Sequence, residues 1–247
     1  MITKERAYEI VGEFKDELLT VMPDDLLAIY LIGSLGGGYY RPGQSDIDTV
    51  IIVRDQANIT QEQMDEIAEM YQKKYDVPKG FGSVMIFEKE LFPPYLKSEI
   101  EEFEFSIEIA RLKVQGILFY GAYNLDQVPM PTKEDLIKDA KIMEQWFDSA
   151  FGYPMHDKLQ ITGCINCILG TMRRKLMIED GVFEFNKFKT IDAYLSHQPD
   201  IVEQDIFNRI SQYLNGVALE EADLILLRRF GTKLADHYNE KLLGIKR

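Results

Sequence analysis

The stretch LIGSLGGGYYRPGQSDIDTVIIV, Leu31 to Val53, decides how the rest of the chain is read. Its C-terminal end, Ile47 to Val53, is apolar and rich in β-branched residues, which predicts a buried strand. Its N-terminal end completes a short apolar run, Leu26 to Ile32, that stops at Gly-Ser and predicts another strand. The piece between holds too many glycines for a helix interior and too much charge for a core. It is either a decorated loop or a site built to hold a ligand.

The two aspartates point to the second reading. Asp46 and Asp48 stand at the start of a strand, two residues apart, so their side chains share a face. Two carboxylates side by side repel, unless a cation lies between them. Hard oxygen donors at this spacing suit Mg²⁺, which takes one or two carboxylates together with phosphate oxygens. Gly33 and Ser34 follow the first strand directly. They can open a turn whose backbone N–H groups and hydroxyl face a phosphate. Gly36, Gly37 and Gly38 allow close backbone approach, and Arg41 adds positive charge.

The totals exclude several classes. The chain has 247 residues, enough for two domains, and no apolar run as long as a membrane span. MITKERAYEIVGEF reads as an amphipathic helix rather than a signal peptide, so a cytoplasmic location is expected. The net charge of −13 argues against a nucleic-acid partner gripped through its phosphates and is compatible with a cationic one. The only cysteines, Cys164 and Cys167, lie inside an apolar helical run and read as packing residues. The three histidines are scattered and complete no zinc site.

Outward from the central stretch, apolar spacing predicts a helix over 3–21. Thr60 and Gln63 form a capping box that opens a helix to about Tyr75. Further strands are expected at 83–87 and 117–121, with a helix between them from a second capping box, Ser98 and Glu101. AYNLDQVPMPT, 122–132, breaks the pattern with two prolines and marks a boundary. Helices follow at 133–150, 157–179, 189–196, 202–214 and 219–243. The expected organisation is a first domain at 1–127 and a second, all-helical one at 128–247.

At this point G-S-x10-S-D-I-D followed by TVIIV resembles the signature of the polymerase-β-like nucleotidyltransferase superfamily. The layout is most similar to aminoglycoside nucleotidyltransferases of the streptomycin/spectinomycin adenylyltransferase type. The specific match is confined to 33–48, and the helical half matches in order and length. The resemblance implies an α+β domain with a mixed sheet, then an all-α helical bundle that closes over nucleotide and substrate. It implies Asp46 and Asp48 as catalytic metal ligands for Mg²⁺. It implies Gly33, Ser34 and Ser45 as nucleotide contacts and ATP as donor. An acceptor hydroxyl would attack the α-phosphorus and pyrophosphate would leave.

The family also carries a third carboxylate on a later strand, as metal ligand or general base. Here that strand is GSVMIF, and Gly82 or Ser83 falls at the acid's place. Glu88 is the nearest substitute, on the face of Val84 and Ile86 if the strand runs that far; Glu90 and Glu108 are further candidates. The family's helical domain supplies basic residues to the phosphates. Lys187 and Lys189 occupy that position in the layout, whereas Arg173, Arg174 and Lys175 read as the solvated end of a helix. Trp146 reads as core, and the acids Asp135, Glu144, Asp148 and Asp157 could meet a cationic substrate. The functional expectation is an enzyme that moves AMP from ATP to a hydroxyl of a small cationic acceptor. A protein or RNA acceptor, or a silent nucleotide binder, are the alternatives.

Overall fold

Helix α1 (Lys4–Val21) opens on Thr3, whose side chain accepts from the Arg6 N–H. Its apolar stripe, Ala7, Ile10, Val11, Phe14 and Leu18, is buried against the sheet that follows. In this computed structural model, residues 1–77, 79–95, 105–142, 158–197, 204–238, 240 and 244 are described. The chain divides into two units, Met1–Pro131 and Thr132–Arg247.

The first unit is built on four strands: β1 (Leu26–Leu31), β2 (Ile47–Val53), β3 (Phe81–Phe87) and β4 (Ile117–Gly121). Their order is β3-β2-β1-β4. β1 runs antiparallel to both neighbours, and β2 and β3 are parallel, so the sheet is mixed. A parallel neighbour needs a crossover, which α3 (Gln61–Tyr75) supplies. That helix starts at the expected capping box: the Gln63 N–H donates to Thr60 Oγ1 at 3.2 Å, and the Thr60 N–H to Gln63 Oε1 at 2.9 Å.

Strand alternation sorts the core into two layers. Ile29, Leu31, Ile51, Val53, Phe81 and Met85 pack on the face covered by α1 and α3. Ala28, Tyr30, Val50, Ile52 and Ile86 pack on the other face with Phe105, Ile109 and Leu112 of α4 (Phe105–Gln115). Asp46, Asp48 and Gly82 share the parity of this second set. Asp48 and Gly82, which lie within strands, therefore stand on the α4 face, beyond the apolar residues that fill it. The short helix α2 (Gly33–Gly36) lies between β1 and β2.

Among the described residues the second unit is helical: α5 (Lys133–Ile142), α6 (Lys158–Lys175), α7 (Lys187–His197), α8 (Gln204–Leu214) and α9 (Glu221–Tyr238). A π-helical turn, Leu176–Asp180, prolongs α6 and ends at Gly181 with φ +65°. This is the α+β plus all-α arrangement expected from the sequence. The remainder of the expected helices at 98–114 and 133–150 lies outside the described residues. So do the Ser98–Glu101 cap, Trp146, Glu144, Asp148 and Asp157. Asp135 caps α5, its Oδ2 accepting the Thr132 N–H at 2.9 Å.

One expectation fails in this unit. The basic end of α6 is not solvated: Arg174 is 5% exposed and Lys175 2%. Arg173 bonds Thr190 Oγ1 at 3.1 Å and the Phe185 carbonyl at 2.8 Å, which ties α6 to the start of α7. Lys175 Nζ lies 3.6 Å from Glu179 Oε2, 3.4 Å from His237 Nε2 and 5.7 Å from the Tyr194 ring centroid. Helices α7 and α9 cover this end, so these charges act as internal ties rather than surface complement to the helix dipole.

Candidate active site

The antiparallel ladder of β1 and β2 makes the site. It pairs Leu31 with Thr49 and ends with the Ile32 N–H on the Asp48 carbonyl at 3.1 Å. Two positions fifteen residues apart in sequence, Gly33 and Asp48, are thereby brought side by side. The contact is close. A Cβ added to Gly33 would stand 2.2 Å from Asp48 Oδ2, inside any permitted contact. Gly33 also has φ +59°, the left-handed region that a side chain disfavours. Both facts require glycine at this position.

The turn that follows is short of partners. Its helical bonding begins only with the Gly36 N–H on the Ile32 carbonyl and the Gly37 N–H on the Gly33 carbonyl. The N–H groups of Ser34 and Leu35 are not consumed by it. Ser34 is 8% exposed, and its Oγ is buried with no hydrogen-bond partner among the described residues. An orphaned buried hydroxyl costs about 1–3 kcal/mol unless a bound group satisfies it. Ser34, next in sequence to the glycine that touches Asp48, is thus a buried donor with no acceptor among the described residues.

Asp46 and Asp48 are both half-buried; Asp48 lies within β2 and Asp46 immediately before it. Burial, and then the nearby Asp46 carboxylate, push the Tyr40 phenol up. Tyr40 Oη donates to the Ile2 carbonyl at 3.4 Å, which fastens the loop to the N-terminal residues. Ser45 holds the turn before Asp46: its Oγ accepts the Arg41 N–H and its N–H donates to the Arg41 carbonyl, both at 3.0 Å. Its hydroxyl is engaged in shaping the loop.

The third side of the site is β3. Parallel pairing sets Asp48 opposite Gly82, and a Cβ on Gly82 would lie 3.1 Å from Asp48 Oδ1. Beneath them, Thr49 Oγ1 lies 3.3 Å from the Gly82 carbonyl oxygen and 3.1 Å from Ser83 Oγ, which stitches the two strands together. Sequence reasoning treated Gly82 only as a missing acid. A glycine inside a strand is itself a signal of close approach, and here Asp48 is what approaches.

Glu88 is not part of this arrangement. The same register pairs Val53 with Phe87, and Glu88 opens a 3-10 turn, Glu88–Leu91, instead of extending the strand. It lies six residues beyond Gly82, about 20 Å along β3. Its charge is felt instead at Tyr123, where it adds to the effect of burial in pushing the phenol up. Glu90 is buried and accepts the Phe87 N–H at 2.9 Å. Glu108 pairs with Arg111 on α4 at 2.9 Å. Lys187 and Lys189 lie in the second unit, on the first turn of α7, which Asn186 caps by accepting from the Phe188 and Lys189 N–H groups. Lys187 Nζ donates to Asn166 Oδ1 at 3.2 Å.

The donor set fits a shared metal better than a private one. Among the described residues no group of three or more His, Cys, Asp or Glu side chains could hold an ion. Two carboxylates two residues apart in sequence, with the glycine turn against the second of them, leave most of a cation's coordination to the ligand it accompanies. That division is the habit of Mg²⁺ with phosphates.

Residues 9–106 match the profile described as "Nucleotidyltransferase domain". The chain is 31% identical over 96 residues to a protein of Methanocaldococcus jannaschii described as "Putative protein adenylyltransferase", covering 38% of this chain and 92% of that one. In fold it is similar to spectinomycin adenyltransferase AAD(9) from Enterococcus faecialis, solved with ATP and spectinomycin. The TM-score is 0.63 at 16% identity, over 92% of this chain and 98% of the other. Among the described residues no helix is long and apolar enough to cross a membrane.

Proposed function

The chain belongs to the nucleotidyltransferase family, and from that premise we propose that it moves AMP from ATP to a hydroxyl group of a small, cationic acceptor of the aminoglycoside class. The observation that carries the site assignment is the contact of Gly33 with Asp48, with the orphaned Ser34 hydroxyl next to it. The donor is inferred from the names of both relatives, each an adenylyl-transferring protein. The acceptor class is inferred from the spectinomycin named with the fold relative and from this chain's net charge of −13.

The roles follow from position. Asp46 and Asp48 face the triphosphate and would hold Mg²⁺ jointly with its oxygens. A bound cation there would neutralise charge on the phosphates as pyrophosphate departs. Ser34 would donate its hydroxyl hydrogen to a phosphate oxygen, with the Ser34 and Leu35 N–H groups as further donors. Gly33 lets the chain approach close enough for both contacts. The acceptor oxygen bonds to the α-phosphorus as the bond to the bridging oxygen breaks, and the hydroxyl proton passes to solvent or to a base on the acceptor. Lys187 and Lys189 are the second unit's candidates for the phosphates. By layout, 1–127 carries the chemistry.

A protein acceptor is the second reading, favoured by the description of the archaeal relative as a protein adenylyltransferase.

The test is pyrophosphate release from Mg·ATP against a panel including spectinomycin, streptomycin and a cell-extract protein fraction. The Asp46→Asn, Asp48→Asn double variant is the control. Release that needs one small acceptor, adds an AMP residue to it, and vanishes in the variant supports the proposal. Label appearing in protein instead moves the acceptor to the second reading. No release on any acceptor overturns both.

A further inference from the structure

The Asp48 carboxylate is held between two glycines. Oδ2 faces Gly33 and Oδ1 faces Gly82, 2.2 Å and 3.1 Å from where a Cβ would stand on each. The two walls are not anchored alike. Gly33 follows β1, an inner strand bonded to β2 on one side and β4 on the other. Gly82 belongs to β3, which stands at the edge of the described sheet with β2 as its neighbour. The outer N–H and C=O groups of an edge strand have no ladder to hold them. We propose that Gln61 supplies this hold and is a positioning residue for Asp48: its side-chain amide takes the place of a neighbouring strand's peptide on the outer edge of β3 and keeps Gly82 against the carboxylate. The proposal rests on the assignment of Asp48 to the transfer site and adds to it what keeps that site in shape.

Gln61 is the first residue of α3 and is 9% exposed. Its Nε2 donates to the Ser83 carbonyl and its Oε1 accepts the Met85 N–H, both at 2.8 Å. Groups two residues apart on one edge are those a further strand would bond. Nε2 also donates to Asp65 Oδ1 at 2.7 Å, one turn along α3. Both donors and the acceptor of the amide are therefore used, and it has one orientation. Turned over, its oxygen would face the Ser83 carbonyl and the Asp65 carboxylate.

The hold reaches Gly82 through the backbone. Gln61 fixes the Ser83 carbonyl from the outer side of β3. From the β2 side, Thr49 Oγ1 lies 3.3 Å from the Gly82 carbonyl oxygen and 3.1 Å from Ser83 Oγ. The chain at 82–83 is thus tied on both edges. Helix α3 covers the sheet face opposite α4, whereas Asp48 stands on the α4 face. Gln61 accordingly acts through the position of the strand and not by contact with the carboxylate.

Two variants of the full chain test this against the wild type. Gln61→Met keeps the length of the side chain and loses its three hydrogen bonds. Tyr71→Phe removes the bond from Tyr71 Oη to the Glu13 carbonyl, 3.0 Å, which ties the same helix to α1 ten residues away from Gln61. Amide hydrogen exchange over 81–87 reports the strand. Titration calorimetry with Mg²⁺ and an ATP analogue bridged by a methylene between the α and β phosphorus atoms reports the site without turnover. Steady-state AMP transfer, with any acceptor that turns over, reports the chemistry. Gln61→Met is expected to speed exchange at 81–87 and to weaken binding of the Mg²⁺–analogue complex about fivefold. It is expected to lower kcat about tenfold, with the acceptor KM within about twofold. Tyr71→Phe is expected to leave binding and kcat at wild-type values. Should Gln61→Met fail to fold, Gln61→Ala, which admits water to the freed Ser83 and Met85 groups, is read in the same way. Unchanged binding and kcat in the Gln61 variant overturn the proposal; with faster exchange, Gln61 is an edge cap alone. Equal losses in Tyr71→Phe overturn it too. Analogue binding that weakens in the Gln61 variant, with no AMP transfer by the wild type to any acceptor, upholds the proposal and fails the transfer reading. A wild type that does not bind the Mg²⁺–analogue complex overturns both.

Discussion

Gly33 and Asp48 are in such close contact that the smallest possible side chain at 33 would stand 2.2 Å from the Asp48 carboxylate oxygen. One of the two groups must give way if a methyl is added, and the backbone at φ +59° resists it further. Gly33→Ala is expected to lower kcat/KM for nucleotidyl transfer roughly 100-fold, because a displaced metal-holding carboxylate is a misplaced catalytic group. The substitution is confined to one short turn between β1 and β2, so the far-ultraviolet spectrum is expected to stay that of the wild type. A variant with full activity would mean that Asp48 does not need this position.

Glu88 offers the opposite test. It is the carboxylate just past the strand where a third acid is expected, and the register carries it about 20 Å from the Asp48 end. Glu88→Gln is therefore expected to leave kcat and both KM values within about twofold of wild type, as for a surface substitution. A drop of tenfold or more in kcat, with the pH profile losing its acidic limb, would return Glu88 to the chemistry.

The contrast between these two positions marks what the sequence could convey. Gly33, Ser34, Asp46 and Asp48 lie on one hairpin-like unit, where two apolar strands and their connection are contiguous. Antiparallel pairing of neighbours then leaves little choice about which residues meet. Gly82 and Glu88 belong to a strand that joins the sheet in parallel after a helix, and the register of such a pair is set by packing across α3 and by the Thr49–Ser83 contact. Nothing local to 81–88 encodes it. Arg174 and Lys175 show the same limit in the second unit. Their position at a helix end suggests solvent, but His237, distant in sequence, and Tyr194 decide their burial.

The two cysteines of α6 are expected to separate under alkylation. Cys164 is fully buried, and desolvation pushes its thiol up to about 12, so almost no thiolate exists at pH 8. Cys167 is half-buried. Iodoacetamide at pH 8 is expected to label Cys167 in the folded protein and Cys164 only after denaturant is added, read by peptide mass spectrometry. Equal labelling of both in native buffer would contradict the packing of α6.

Tyr194 provides a test of the second unit's interior. Its ring is fully buried between the Lys175 ammonium, 5.7 Å from the centroid, and Phe207, whose centroid is 6.2 Å away. Its hydroxyl is buried as well and has no hydrogen-bond partner among the described residues. Burial, together with the Glu179 charge, pushes that phenol far up, so it stays neutral throughout the working range. The ring therefore supplies the packing and the contact with Lys175, while the hydroxyl supplies only a desolvation cost. Tyr194→Phe keeps the first and removes the second. It is expected to raise stability, by up to about 1 kcal/mol, in urea denaturation with an unchanged slope. Lys175→Ala removes the cation instead, leaves a cavity, and strips Glu179 of its neighbour. It is expected to cost about 2–4 kcal/mol. Should Tyr194→Phe prove destabilising by more than about 1 kcal/mol, the hydroxyl must have a partner, and the cluster around Lys175 would have to be wider than Glu179, His237 and the tyrosine ring.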